Sequence, residues 1–388
     1  MAESIVMTWQ ATSFHGWGVY ALNLALAWAA DSEIAITATR AVTANLVSID
    51  PLRWRALQPF RARSAGLEQF LSKQPKQPIT LNAPLLVGLG DRLASEPGPH
   101  GSALLGRPSV GVVFFETDDL GRDAAKKAEH HACIVAGSQW NAEVLRAHGV
   151  PRVETVVQGI DPALFHPAPK TNLFPGRFLV FSGGKLEMRK GQDKVLAAWR
   201  IFSARHPDAM LVTAWYSPWP HLAQGINASE CAAPLPFTQD GNPDIEGWAV
   251  ANGIKPDQFL NLGAVPNASM PPILREMDAA IFPNRCEGGT NLVAMEAMAC
   301  GVPTILSANS GHLDLLQDGA ALPLTDQRPI QTASGWHESN LDEMVAALEK
   351  LYEDRTCASV LGAAGAEQLS RMTWSKTSAQ MKSIIKTL

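Results

Sequence analysis

The stretch that decides the fold runs from Ile281 to Pro303 and reads IFPNRCEGGTNLVAMEAMACGVP. Its first residues belong to an apolar run that Pro283 ends, which indicates a short buried strand. Two glycines follow, and residues 291–300 then have the composition of a helix that Gly301 and Pro303 terminate. A strand, a glycine turn and a helix in this order are typical of α/β proteins with a parallel sheet.

Two carboxylates flank the glycine turn. Glu287 precedes Gly288 and Gly289, where backbone N–H groups and the positive end of the next helix favour an anion. Glu296 lies within the predicted helix. A single glutamate in a loop or on a helix is usually solvated, so each residue alone also has a purely structural interpretation. Together they predict a site for phosphate and sugar hydroxyls.

The segment from Glu287 to Pro303 resembles the glutamate-rich signature of the family 4 retaining glycosyltransferases. In that signature a Glu-Gly loop leads into a helix that carries a second glutamate followed by Ala-Met-Ala-Cys-Gly-Val-Pro, and residues 296–303 match this ending. The family's commonest form has seven residues between the glutamates, whereas eight separate Glu287 from Glu296. We therefore expect a loop that is one residue longer.

Length and composition exclude several classes of protein. A chain of 388 residues exceeds the size at which one hydrophobic core stops growing, so we expect two domains. A net charge of −5 argues against a nucleic-acid binder that works through a general basic surface. The five cysteines are scattered without a CxxC pair, which predicts reduced thiols in a cytoplasmic protein. The apolar run at residues 19–30 is short and contains Asn23, so we expect neither a signal peptide nor a membrane span.

The N-terminal part predicts a further strand, loop and helix at residues 4–9, 10–18 and 19–30. Gly16 and Gly18 fit the G-x-G-x-x-G/A dinucleotide fingerprint. However, six residues separate the strand from the first glycine, and the second strand ends in Arg40 where an acidic residue is expected. A ligand-binding glycine loop and a helix-entry turn without a ligand both stay open.

A basic stretch at residues 52–63 carries four arginines interleaved with Trp54, Leu57 and Phe60. Such a stretch suits a phosphorylated acceptor or an anionic membrane surface. A solvated face is favoured, because Pro59 breaks any long amphipathic helix.

A second basic turn follows the strand predicted at residues 178–181 and precedes a helix predicted from Gln192 to Arg205. Ammonium groups beside a helix N-terminus can hold a diphosphate and stabilise the charge that grows as a sugar departs. By the family resemblance, this role falls to Lys185 and Lys190, with Arg189 a bystander. Lys185 stands where arginine is commoner in the family, so a point charge replaces a bidentate fork.

For the whole chain, the resemblance implies an α/β protein of two Rossmann-like domains that face each other across a cleft, the GT-B architecture. Residues 1–170 would form the acceptor-binding domain and residues 171–370 the nucleotide-sugar-binding domain. Residues 371–388 would form a C-terminal helix that crosses back onto the first domain. Glu116 or Thr117 stands where many members of the family have a histidine that contacts the donor sugar.

The implied activity is transfer of a hexose from a nucleotide-diphosphate sugar to an acceptor hydroxyl, with retention at the anomeric carbon and without a metal or other cofactor. Glu287, Lys190 and Lys185 are the candidate catalytic residues. The candidate donor-binding residues are Gly16, Gly18, Gly184, Val265, Gly288, Gly289, Thr290, Asn291, Leu292 and Glu296. The acceptor would be a sugar, a lipid-linked molecule or a small molecule, with peripheral membrane contact as an open alternative.

Other functions stay open at this point. A nucleotide-sugar epimerase or a sugar phosphorylase would share the architecture, and a dehydrogenase would bind NAD at residues 16–21. A noncatalytic carbohydrate-binding protein would keep the cleft and show no turnover. A long insertion is predicted at residues 216–252. The tryptophans in or beside it, Trp215, Trp219 and Trp248, could stack on a base or sugar, or they could be packed beneath the loop.

Overall fold

The computed structural model describes residues 3–95, 101, 103–331 and 333–388. These residues form two compact units. The first unit comprises the described residues up to Gly159, together with Pro266–Ala268 and Met372–Leu388. The second comprises Ile160–Val265 and Ser269–Arg371.

The first unit is an α/β unit whose strands are Glu3–Met7 (β1), Ile34–Ala38 (β2), Ile79–Thr80 (β3), Leu85–Leu89 (β4), Leu104–Leu105 (β5), Ser109–Val113 (β6), Cys133–Ala136 (β7) and Val153–Thr155 (β8). Its first helices are Gly16–Ala29 (α1), Pro51–Ala56 (α2), Gln58–Ser72 (α3), Ala124–Ala128 (α4) and Gln139–Ala147 (α5). Six strands form a parallel sheet in the order β2-β1-β4-β6-β7-β8, and β3 pairs with β5. The basic stretch at residues 52–63 is divided between α2 and α3, and Pro59 lies in the first turn of α3.

The second unit repeats this plan with the strands Phe178–Lys185 (β9), Ala209–Tyr216 (β10), Phe259–Asn261 (β11), Ala279–Phe282 (β12), Thr304–Ser307 (β13), Leu322–Leu324 (β14), Gln327–Pro329 (β15) and His337–Ser339 (β16). Its helices are Gln192–Arg205 (α6), Pro220–Ala223 (α7), Ile245–Ala251 (α8), Met270–Leu274 (α9), Leu292–Ala299 (α10), Leu341–Glu353 (α11) and Arg355–Ser370 (α12). The parallel sheet has the order β11-β10-β9-β12-β13-β14, and β15 pairs with β16 in antiparallel fashion.

Two local predictions can be compared with the second unit. The helix predicted from Gln192 to Arg205 is confirmed as α6. The strand predicted at residues 178–181 is wrong in length, because β9 continues to Lys185. The reason is the long partner strand β10, which pairs with β9 along its whole length and places Tyr216 opposite Lys185.

The boundary between the units lies near residue 159, whereas the sequence predicts it at residue 170. Side chains of the second unit hold the intervening segment. Arg275 donates hydrogen bonds to the carbonyl oxygens of Leu164 at 2.7 Å and His166 at 3.0 Å. Lys170 forms an ion pair with Asp278 at 2.6 Å.

The last helix, Trp374–Lys386 (α13), lies in the first unit and packs against α1. The ring of Trp374 lies 5.7 Å from that of Tyr20, between centroids. Lys382 forms ion pairs with Asp31 and with Glu33, the latter at 2.9 Å. Among the described residues, no helix is both long enough and apolar enough to cross a bilayer.

Candidate active site

The order of strands in the second unit creates a crevice at the carboxyl end of its sheet. The chain runs from β9 to β10 and β11 on one side and then returns to place β12 on the other side of β9. In open α/β sheets, ligands bind outside the carboxyl ends of the strands at such a switch point. The carboxyl end of β9 and the loops after β9 and β12 therefore occupy the position where a ligand is expected. Lys185 ends β9, Lys190 lies in the loop after it, and Glu287 lies in the loop after β12.

Glu287 is the centre of a buried charged cluster and is only 5% exposed. Its Oε1 accepts hydrogen bonds from the Lys190 ammonium and the Asn284 amide, and lies 3.0 Å from Nη1 of Arg189. Burial raises the pKa of Glu287, but Lys190 and Arg189 together outweigh burial and lower the pKa to about 2. The carboxylate is therefore charged at neutral pH and can accept hydrogen bonds from sugar hydroxyls.

Lys185 and Arg189 are held by a second carboxylate, that of Glu187. Lys185 Nζ lies 2.9 Å from Glu187, and Arg189 Nη2 lies 2.5 Å from it. Burial raises the pKa of Glu187, yet Arg189 and Lys185 bring the net pKa below its usual range. With Lys190, the cluster has three cations and two carboxylates, Glu187 and Glu287. It therefore carries one net positive charge. A diphosphate could replace carboxylates as the partner of the lysines, since phosphate accepts charge-assisted hydrogen bonds well.

Arg189 is an integral member of this cluster, and whether it takes part in phosphate binding stays a prediction. It is buried, and its Nη1 donates to the carbonyl oxygen of Cys286 at 2.8 Å. The guanidinium thereby joins the turn after β9 to the loop after β12. No signal in the sequence distinguishes this arginine from a solvated neighbour of Lys190.

The glycine loop is buried, and the residue with a left-handed backbone in it is an asparagine. Within the described loop, the left-handed conformation belongs to Asn291, with φ of 64°, rather than to Gly288 or Gly289. Asparagine is among the residues that tolerate this conformation best. Asn291 is the N-cap residue of α10, and its Nδ2 lies 3.0 Å from Nε2 of His312.

His312 is a fully buried histidine beside the cluster, and the sequence predicts only a loop there. Burial lowers the pKa of His312 to about 4, although the charge of Glu287 opposes this effect. The ring is therefore neutral at pH 7. Its Nδ1 lies 3.0 Å from Oγ and 3.3 Å from the carbonyl oxygen of Ser307. Nδ1–H can donate to Ser307, which leaves Nε2 to accept from Asn291.

We expect His312 to make the folded protein sensitive to mild acid. In the unfolded chain a histidine has a pKa near 6.5. Below that pH the unfolded state therefore binds a proton that the folded state does not bind. Stability should thus be lost as the pH falls from 6.5 to 4, by about 3 kcal/mol. Urea unfolding at several pH values measures this loss. His312→Gln should flatten the dependence of the free energy of unfolding on pH in that window. The matched surface control is His130→Gln, at an exposed histidine. Equal slopes for wild type and His312→Gln would refute the assignment.

Gly311 brings the segment before His312 into contact with the glycine loop. A Cβ atom there would lie 1.7 Å from the carbonyl oxygen of Gly289, and the Gly311 N–H donates to the carbonyl oxygen of Glu287 at 2.9 Å. We expect Gly311→Ala to cost about 1–3 kcal/mol through overpacking and to displace Glu287.

Thermal unfolding and donor turnover of Gly311→Ala measure these two effects. Gly66→Ala is the matched control, because Gly66 lies inside α3 with open space around its missing Cβ. That control should stabilise the protein by roughly 0.5–1 kcal/mol. A Gly311→Ala protein as stable and active as wild type would contradict the close approach.

Several other candidate residues lie at the carboxyl side of the same sheet or on the helix after the glycine loop. A Cβ at Gly184 would lie 3.7 Å from the Lys190 side chain, and the φ of Gly184 is 126°. Glu296 is buried on α10, which begins at Leu292 directly after the loop. Thr290 is also buried, and its hydroxyl donates to the sulfur of Met295 at 2.9 Å. Val265 is half-buried and follows β11, two strands from β9.

Four candidate residues lie in the first unit. Gly18 is buried and a Cβ there would lie 2.3 Å from Oγ1 of Thr12, so packing alone requires this glycine. Gly16 is exposed, with nothing near its missing Cβ. The Glu116 N–H donates to Asp91 at 3.2 Å, and the Thr117 hydroxyl accepts from the Asp119 N–H at 3.1 Å.

A metal centre is not evident in the part of the chain that the structure describes. No group of three or more His, Cys, Asp or Glu side chains there is arranged to hold a metal ion. Asp119, one of two adjacent aspartates, instead forms an ion pair with Arg92 at 2.7 Å.

Comparison with solved structures defines the class of protein. The chain is similar to sucrose-phosphate synthase from Thermosynechococcus elongatus, with a TM-score of 0.65 at 16% identity over 99% of this chain and 98% of that one. It is also similar to Anabaena HepE, solved with UDP and glucose, with a TM-score of 0.64 at 14% identity over the full length of both chains. The likeness shows that the chain has the GT-B fold.

Part of the sequence is similar to a known family. Residues 177–354 match the family model of glycosyl transferases group 1. Nearly all of the matched segment lies in the second unit, which is therefore similar to this family.

Two curated relatives extend the similarity. A phosphatidyl-myo-inositol mannosyltransferase of Mycolicibacterium smegmatis is 27% identical over 252 residues, which are 64% of this chain and 55% of that protein. A D-inositol 3-phosphate glycosyltransferase of Pseudarthrobacter chlorophenolicus is 24% identical over 258 residues, 64% of this chain and 54% of that protein. The match thus spans about half the length of these relatives.

Proposed function

We propose that the protein is a retaining glycosyltransferase that moves a hexose from a nucleotide-diphosphate sugar to an acceptor hydroxyl without a catalytic metal. The observation that carries this proposal is the partly buried cluster of Lys185, Lys190 and Glu287 at the switch point of the second unit. The second unit would bind the donor and the first unit the acceptor.

The cations would act on the leaving group. When the bond between the anomeric carbon and the diphosphate breaks, negative charge grows on the phosphate oxygens. The acceptor oxygen bonds to the carbon, and its proton passes to an oxygen of the leaving diphosphate. Lys185 and Lys190 would stabilise that charge from positions that need little rearrangement, in place of the metal that other transferases use. The proximity of Arg189 to Glu287 adds a third cation to this environment.

The carboxylates would hold the neutral parts of the donor. Glu287 stays ionised because its pKa is about 2, so it can accept from sugar hydroxyls and support the positive charge that develops on the anomeric carbon. Glu296, buried on the helix after the loop, would hold the ribose. Because the Glu287 carboxylate is already ionised at neutral pH, it can accept these hydrogen bonds without first losing a proton.

What the similar proteins bind supports a nucleotide-sugar donor. HepE has been solved with UDP-glucose, and a trehalose-6-phosphate synthase from E. coli with UDP-2-fluoro glucose. One of the two relatives is named for phosphatidyl-myo-inositol and the other for D-inositol 3-phosphate. We therefore propose as the acceptor a sugar, a lipid-linked molecule or a small molecule, with peripheral membrane contact as part of the lipid-linked case. The five cysteines are free thiols, in keeping with a proposed cytoplasmic location.

A donor screen tests the proposal. UDP-, GDP-, ADP- and dTDP-sugars are compared by thermal shift, and nucleotide release is then measured with and without candidate acceptors. We expect one donor class to stabilise the protein, with release that depends on an acceptor and persists in EDTA, and a glycoside whose anomeric configuration matches the donor. Sugar that is released or epimerised without an acceptor would indicate an epimerase. A requirement for inorganic phosphate would indicate a phosphorylase. The absence of turnover with every donor would indicate a binding protein.

A further inference from the structure

One of the three tryptophans around the insertion differs from the others. Trp215 and Trp248 are fully buried in the core of the second unit, which is the packing interpretation of these residues. Trp219 is 42% exposed. An exposed indole offers a flat apolar face together with a polar N–H, which suits contact with a ligand.

Trp219 lies at the carboxyl edge of the sheet, beside the switch point. It follows the end of β10 by three residues, and β10 is the direct neighbour of β9. Ser217 fixes the turn, because its hydroxyl donates to the Trp219 carbonyl oxygen at 2.7 Å and accepts from the Trp219 N–H at 3.2 Å. The indole is therefore presented by an ordered turn on the same edge as Lys185 and Lys190.

The indole also contacts the charged cluster. Lys185 Nζ lies 5.3 Å from the centroid of the Trp219 ring, within the range of a cation–π contact. The same ammonium is paired with Glu187. The ammonium that would bind a phosphate thus lies next to an exposed aromatic ring.

We propose that Trp219 is the platform on which the nucleobase of the donor stacks. The inference rests on the proposed function and adds a specificity-determining residue to it. A nucleoside diphosphate carries a flat aromatic ring one ribose away from its phosphates, and stacking on an indole suits any base because every base has a π-face. The juxtaposition of exposed ring and phosphate-binding cation matches that molecule at both ends.

The test compares two ligands that share the diphosphate but differ in the base. Calorimetric titration uses inorganic pyrophosphate and whichever of UDP, GDP, ADP and dTDP binds wild type best. We expect Trp219→Ala to weaken nucleoside diphosphate binding about tenfold or more and to leave pyrophosphate binding within about twofold. Trp219→Phe should restore most of the affinity. Leu222→Ala, a truncation of a residue 40% exposed on the adjoining α7, is the matched control and should change neither affinity.

Each outcome bears on the inference separately from the proposed function. Equal nucleoside diphosphate affinity in wild type and Trp219→Ala would overturn the platform, as would an equal loss for pyrophosphate. Failure of wild type to bind any of the four nucleotides would instead contradict the proposed function.

Discussion

Lys190→Ala is expected to lower turnover with a nucleotide sugar by ~100-fold or more, the scale seen when one preorganised donor to a developing charge is removed. The ammonium is bonded to Glu287 and lies at the switch point of the second unit, where the leaving diphosphate would lie. Because the charge on the leaving group grows in the transition state, the loss should appear in kcat as well as in donor affinity. Steady-state kinetics and calorimetric titration of the donor measure both.

A lysine at the other end of the same sheet provides the control. Lys170 is also ion-paired, with Asp278 at 2.6 Å, but Asp278 precedes β12 whereas Glu287 follows it. Lys170→Ala should therefore keep turnover within about twofold of wild type, since a partly exposed ion pair contributes little. If Lys190→Ala were folded and retained wild-type turnover, the phosphate assignment would be wrong.

Arg285→Met should produce the largest loss of stability. Arg285 is 1% exposed and binds Asp193, which is fully buried, through Nη1 at 2.8 Å and Nη2 at 2.6 Å. Burial opposes the charge of Asp193, but the hydrogen bonds and charge of Arg285 keep the pKa of Asp193 below its usual range. Removing the guanidinium leaves that carboxylate buried without its main partner, at a cost of about 3–5 kcal/mol in the free energy of unfolding.

Urea unfolding of Arg285→Met checks this value, and Arg205→Met is the matched control. Arg205 is exposed and pairs with Glu349 at 3.0 Å, so its loss should cost no more than about 1 kcal/mol. Arg285 also ties the loop after β12 to the turn that precedes α6, because its backbone N–H donates to the carbonyl oxygen of Arg189 at 2.7 Å. Turnover should fall together with stability. Equal unfolding midpoints for Arg285→Met and wild type would contradict the role of the pair.

The sequence predicts the local units of this fold well, because each is encoded in adjacent residues. Apolar runs that end at glycine turns predict the α/β repeats, and α6 is confirmed at both ends. The resemblance carried by residues 287–303 points to the GT-B fold, which the structural comparison bears out. The extension of β9 to Lys185 escapes prediction because it depends on the distant partner β10.

The site is only partly encoded in local sequence. Glu287 and Lys190 are individually predictable, yet their contact joins residues 97 positions apart and exists because β9 and β12 are neighbours. Arg189, Arg285 and His312 are missed for the same reason: solvated and buried arginines or histidines look alike until strand order is known. Trp219 and Trp215 likewise differ only in which side of the β10 terminus they occupy.

The most direct test of the central claim is a crystal structure of the protein with its preferred nucleotide sugar bound. The account predicts that the diphosphate lies within hydrogen-bonding distance of Lys185 and Lys190, that the hexose hydroxyls contact Glu287, and that the ribose contacts Glu296. A diphosphate bound elsewhere, with the ion pair between Lys190 and Glu287 undisturbed, would contradict it.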